Sequence, residues 1–227
     1  MMKRYVCVWL IFLLAYPAHS QNMYQLGLLP KFNLNKGLSQ GFNLNLKLES
    51  RQILRSGIFG EENDWQYAYS LTDFAALLSN KSGIRNSFAG GMQIRRRNDE
   101  WFYRIIQQFS VVQKYPVFRL GHRFGFDQTF VEGASPAFRF RYRINAEFPI
   151  RGQQVDRGEL YLKIGNEYLS KLQAAVGSME IRLLPVLGIN FTDTNKLEIG
   201  IDYRLDRFST PGFRQSYWMV AAWYIKL

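Results

Sequence analysis

Apolar and polar residues alternate one by one along most of this chain, and few folds accept that pattern for so long. In GFNLNLKLESR, Phe42, Leu44, Leu46 and Leu48 fall on one side, with Asn43, Asn45, Lys47, Glu49 and Arg51 on the other. In FRFRYRINAEF, Phe138, Phe140, Tyr142, Ile144, Ala146 and Phe148 stand opposite Arg139, Arg141, Arg143, Asn145 and Glu147. Successive side chains of a β-strand point to opposite faces, so a period of two predicts strands with one apolar and one polar face. About eleven segments read this way, from YQLGLLPKFNLN near the start to SYWMVAAWYIKL at the end. Turn signals separate them: NKG at 35–37, NKSG at 80–83, RND at 97–99, KYP at 114–116, TDTN at 192–195 and TPG at 210–212. No linker or composition break interrupts the series, so residues 21–227 are expected to form one all-β domain.

Alternation alone does not say which face meets water. A soluble barrel turns its apolar face inward, and a membrane barrel turns it outward. The segments run to about 10–14 residues, against the roughly 9–11 with which a tilted strand crosses a bilayer. Aromatic residues gather near strand ends on the apolar face (Trp65, Trp101, Tyr103, Tyr217 and Trp223), as interfacial girdles require. The last segment alternates through Tyr217, Met219, Ala221, Trp223, Ile225 and Leu227, in the manner of a terminal strand read by the outer-membrane assembly machinery. The opening MMKRYVCVWLIFLLAYPAHS joins Lys3 and Arg4 to an apolar run and then to Ala18-His19-Ser20. This reads as a signal peptide over 1–20, cleaved before Gln21; its apolar run of about 12 residues is short of the roughly 20 of a spanning helix.

These features predict a closed, antiparallel, up-and-down transmembrane β-barrel in a bacterial outer membrane, in contact with its lipid. Lipid offers no hydrogen bonds to the backbone, so a spanning sheet has to close on itself. An arginine at the lipid midplane costs about 2–4 kcal/mol. Three arginines in FRFRYR therefore fix which face of that strand turns inward. Single-chain bacterial barrels normally have an even number of strands. Ten to twelve are expected, and ten is favoured, with the 24–34 segment outside the wall and RSGIFGEEND as the long extracellular connection. In DWQYAYSLTDFAALLSNK the apolar face runs Trp65, Tyr67, Tyr69, Leu71 and then slips to Phe74, Ala76 and Leu78. A β-bulge near Thr72-Asp73 accounts for the slip; a short helix over LTDFAALL is the alternative.

The chain is basic, with 29 Lys+Arg against 18 Asp+Glu, and 16% aromatic. That combination can mark a nucleic-acid surface. Here the arginines point into the lumen, so no nucleic-acid partner is expected. The inward ladder is Arg104, Arg119, Arg123, Arg139, Arg141 and Arg143 from the central strands. Its counter-charges are Glu147, Glu159, Glu167, Glu180, Glu198 and Asp202, mostly from later ones. A basic wall is thus expected to face a partly acidic one. One reading is a salt-bridged plug in a non-enzymatic structural or accessory barrel, alone or beside a larger membrane complex. The other is a small anion-preferring channel.

Chemistry is sparsely signalled. The one cysteine, Cys7, lies inside the signal segment, leaving no thiolate, disulfide or cysteine metal site in the rest. No cofactor or metal motif occurs, and no enzyme activity is expected. The remaining catalytic option is lipid modification by His122, which shares the apolar face with Leu120 and Phe124. A hydrolase of that kind needs a serine beside the histidine. GHRFGFD lacks an H-x-S spacing, and Ser110 on the neighbouring strand falls on the opposite face.

Taken together, LGHRFGFDQTF, FRFRYRINAEFP, ELYLKIGNEYL, EIRLLPVLGINF and LEIGIDYRLDRF resemble the proteins grouped as domain of unknown function 2490, over about Tyr24 to Leu227. The resemblance implies an exported β-barrel of Bacteroidetes-type Gram-negative bacteria. It brings no activity, cofactor or catalytic residue.

Overall fold

The structure, a computed structural model, describes residues 23–206 and 213–227. The expected signal peptide and the TPG turn lie outside the described residues. Eleven strands follow one another: β1 (Met23–Gly37), β2 (Phe42–Ile58), β3 (Ala68–Lys81), β4 (Asn86–Arg97), β5 (Glu100–Lys114), β6 (Arg119–Val131), β7 (Ala137–Pro149), β8 (Leu160–Gln173), β9 (Val176–Thr192), β10 (Asn195–Asp206) and β11 (Arg214–Lys226). Each pairs with its sequence neighbour, and β1 pairs with β11, so the sheet closes into one barrel. Among the described residues no helix is long and apolar enough to cross a membrane.

The all-β closed barrel is as expected; the manner of closing is not. The 24–34 segment belongs to the wall, which makes eleven strands rather than the favoured ten. When antiparallel neighbours alternate in direction, the first and last strands run opposite ways only if their number is even. With eleven they run the same way, and β1 meets β11 in parallel from Met23↔Arg214 to Asn35↔Lys226. The barrel is therefore mixed rather than antiparallel throughout. The loop argument for ten strands also fails. The first four residues of RSGIFGEEND continue β2, the β2–β3 connection is 59–67, and a slightly longer one, 150–159, lies at the other rim. We call the end carrying the connections that leave β1, β3, β5, β7 and β9 the odd rim, and the opposite end the even rim.

The strands tilt strongly. A path of cross-strand partners starting at Gly37 passes through Asn43, Ser79, Ala89, Gln108, Gly125, Arg141, Leu169, Glu180, Asp206 and Arg214, then returns to β1 at Met23. One circuit thus displaces the register by almost the whole length of β1, the shear that closing a sheet demands.

The two faces are inverted relative to a water-soluble protein. Phe140 (60%), Met92 (67%), Tyr103 (55%) and Ile199 (58%) are exposed outward, while Asp127 (1%) and Glu167 (2%) are buried inside. Outward rings line up in register from Phe88 through Phe109, Phe124 and Tyr142 to Tyr168, with centroids 4.7–6.5 Å apart. Trp101 and Trp223 are exposed near opposite rims.

The expected slip in β3 is real but earlier. The β2–β3 register shifts where Arg51 pairs with Leu71 and Gln52 with Tyr69, leaving Ser70 as the extra residue. The bulge turns Leu71 (4%) inward with Asp73 and Ala75, while Tyr69 and Phe74 stay outward. The alternative helix over LTDFAALL is a strand.

One turn carried no signal in the sequence. β8 and β9 are joined by Ala174-Ala175, both with left-handed backbone (φ 48° and 64°). Tight hairpins of this kind prefer Asn-Gly or Asp-Gly, as the Asn98-Asp99 turn (φ 49° and 63°) nearly provides. Left-handed backbone costs an alanine roughly 1–2 kcal/mol. Replacing Ala174-Ala175 by Asn-Gly is expected to stabilise the barrel by about 1 kcal/mol or more, read as a higher urea midpoint of the detergent-folded protein.

Candidate functional site

The lumen holds the chemistry, and its parts come from inward positions at every second residue. Its apolar side lies along the closing seam. Leu29 from β1 packs with Trp218, Val220 and Ala222 from β11, and Ile53 and Leu184 join from β2 and β9. Trp218 lies over Gly27, where a Cβ would come within 2.5 Å of the indole Cζ3. Only glycine lets the ring cross β1 at that point. The guanidinium carbons of Arg51 and Arg204 sit 5.7 and 5.9 Å from the Trp218 ring centroid, a favourable cation–π arrangement.

Around this seam, charge is neutralised locally. Glu49 receives Arg51 Nη2 (2.7 Å) and Lys47 Nζ (2.7 Å) from its own strand, with Lys31 Nζ at 4.0 Å from β1. Lys31 also lies 3.8 Å from Asp202, which takes a fork from Arg204: Nε to Oδ1 at 3.0 Å and Nη2 to Oδ2 at 2.8 Å. Glu198 accepts Tyr161 Oη (2.9 Å) and Tyr224 Oη (3.1 Å), and Lys163 reaches the same carboxylate.

The FRFRYR arginines form the other centre. Arg139 and Arg141 each donate an Nη2 hydrogen bond to Asp127 Oδ2, at 2.7 and 2.6 Å. Arg143 donates from Nε to Glu167 Oε2 at 2.6 Å, and Arg182 Nη1 lies 3.0 Å from Glu167 Oε1. Arg182 also donates to Glu180 at 2.5 Å. Three arginines of β7 thus sit between an aspartate on β6 and a glutamate on β8.

Most of the expected residues fall in this network, but their arrangement differs from a basic wall facing an acidic one. Acids and bases interleave as direct cross-strand partners: Asp127↔Arg139, Arg143↔Glu167 and Glu167↔Arg182. Such pairs are the closest side-chain contacts a sheet offers. Glu147 and Arg119 are also opposite each other, 3.9 Å apart and half-exposed at the odd rim. Glu159 is misplaced by the sequence reading: it lies in the β7–β8 connection and accepts the Asp156 N–H at 3.0 Å. Arg104 is buried and donates to Thr129 Oγ1 at 2.9 Å, with no carboxylate within ion-pair reach among the described residues.

Sequence reasoning left out Glu49, Asp73 and Asp127 as counter-charges. Glu49 and Asp127 shared the polar parity of their strands, so the signal was present. Asp73, paired with Arg95 at 2.6 Å, was hidden by the bulge beside it. His122 faces outward, and its Nδ1 is 2.9 Å from Tyr142 Oη rather than bonded to a serine. Among the described residues no group of three or more His, Cys, Asp or Glu side chains is placed to hold a metal ion.

These geometries rank the ion pairs. Removing one partner from a buried pair leaves the other charge unpaired and costs about 3–5 kcal/mol. Exposed pairs contribute about 0–1 kcal/mol. Asp127→Asn is therefore expected to lower the urea unfolding free energy by about 3 kcal/mol or more, and Glu147→Gln by less than about 1 kcal/mol. Equal losses would contradict this ranking.

A family model described as "Protein of unknown function (DUF2490)" matches residues 32–214. No curated protein and no solved structure matches the chain.

Proposed function

We propose that this chain, which belongs to the DUF2490 family of proteins of unknown function, is an integral β-barrel of a bacterial outer membrane with a structural or accessory, non-enzymatic role. The observation that carries the reading is the inversion of its two faces. Phenylalanine, leucine, isoleucine and tryptophan form the accessible outside, and aspartate, glutamate and arginine form the buried inside. In water that outside would be one continuous apolar surface, far larger than the few hundred Å² a soluble monomer ordinarily exposes. In lipid it is the matching solvent, and a closed wall leaves no backbone edge unpaired. Aromatic residues near the rims, such as Trp101 and Trp223, suit the membrane–water interfaces.

The lumen supports a closed barrel. At its middle, Glu49, Asp127, Glu167, Asp202 and Arg204 are all buried and ion-paired, Asp127 and Glu167 across neighbouring strands and Glu49 and Asp202 with arginines of their own strands. These pairs brace the wall from inside, which suits a component that serves as a scaffold, alone or in a larger membrane complex. A small anion-preferring channel is the second reading. It is favoured by Arg104, an inward cation with no carboxylate partner among the described residues.

Two measurements separate these readings. The protein is expected in the detergent-extractable envelope fraction, with unboiled samples running faster on a denaturing gel than boiled ones. Recovery in the soluble periplasm, with no shift on boiling, would refute the membrane barrel. In planar bilayers the folded protein is expected to be silent. Steady openings with an anion-selective reversal potential, weakened in Arg104→Gln, would instead establish the channel.

A further inference from the structure

The lumen is not filled evenly, and Arg123 lacks even the neutral partner that Arg104 finds in Thr129. Asp127, Glu147 and Glu167 each face a cation directly across the sheet. Arg123 does not: its cross-strand neighbours are Ser110 on β5 and Arg143 on β7. Like charges placed directly opposite destabilise a sheet. Arg143 is already engaged by Glu167, but among the described residues Arg123 has no carboxylate within 4.0 Å and no hydrogen-bond partner. It points inward, on the same face as Asp127, yet it is exposed. Its neighbours on that face are Gly121 and Gly125, which put no side chain beside the guanidinium. One inward position beyond Gly121, Arg119 lines a cavity of about 290 Å³ that opens at the odd rim. Of the three acids of that cavity, Glu198 is held by Tyr161, Lys163 and Tyr224 and Glu147 by Arg119, while Asp193 is exposed in the β9–β10 turn at the mouth.

We propose that the odd-rim half of the lumen is a blind binding pocket for a small oxyanion, held by Arg123 with Arg119 and Arg143 at its flanks. A guanidinium presents a planar fork that matches the oxygens of phosphate or carboxylate. An anion there would neutralise the Arg123–Arg143 repulsion that the protein leaves unrelieved. A blind pocket requires the central ion pairs to close the lumen, so the inference rests on the closed-barrel reading.

The test is urea unfolding of detergent-folded protein and of Arg123→Gln, with inorganic phosphate, succinate or chloride at matched ionic strength. Phosphate or succinate is expected to raise the wild-type midpoint above that in chloride, the better of the two naming the anion class. Arg123→Gln is expected to fold with unchanged or slightly higher stability in chloride, because it loses a like-charge neighbour and no partner. Its anion affinity is expected to fall about tenfold or more, the loss of one charge-assisted fork. Equal midpoints in all three salts, or equal protection of both proteins, would overturn the pocket. Marked destabilisation of Arg123→Gln in chloride would also overturn it, since Arg123 would then have a structural partner. The gel shift on boiling and the bilayer recordings report on the barrel and its closure separately, so failure of either is told apart from failure of the pocket.

Discussion

Closure of the sheet is the constraint on which everything else in this molecule depends. Once β1 pairs with β11, no wall strand is left with a free edge, and the inside and outside become separate environments. The seam that closes it is the parallel one, and it is also where the lumen is most apolar. Trp218, Val220 and Ala222 turn inward from β11 onto Leu29, so the last strand is apolar on both faces over much of its length. Hydrophobic packing thus reinforces the seam from within, where slanted parallel hydrogen bonds hold slightly less well than antiparallel ones.

The enclosed charges follow from that separation. A buried carboxylate is tolerable only when cations and hydrogen bonds replace its water. Register supplies them, because opposite residues on adjacent strands approach within about 4.5–5.5 Å. The FRFRYR strand illustrates the result. Its arginines do not line a passage as free charges; they tie Asp127 and Glu167 into one strap across β6, β7 and β8. Pairs two residues apart on one strand, such as Asp202-Arg204 and Glu180-Arg182, complete the net.

The outward face has the opposite logic. Its rings lie side by side from β4 to β8, and His122 joins them through Tyr142. Polar groups on that side find partners among themselves, as Ser50 does with Thr72. That economy of polar groups suits an apolar surrounding.

Much of this was legible in the sequence, because a period of two needs only neighbours along the chain. Alternation marks the strands, assigns each residue a face and places Arg139, Arg141 and Arg143 inside with Phe138 and Phe140 outside. The pairs two residues apart are visible for the same reason. Which carboxylate neutralises which arginine is not visible, because that depends on cross-strand register. One extra residue, such as Ser70 in β3, moves Leu71 and Asp73 to the other face. The strand count and the parallel seam were likewise settled only when the ends met. Closing a ring is a property of all eleven strands at once, and no single segment carries it.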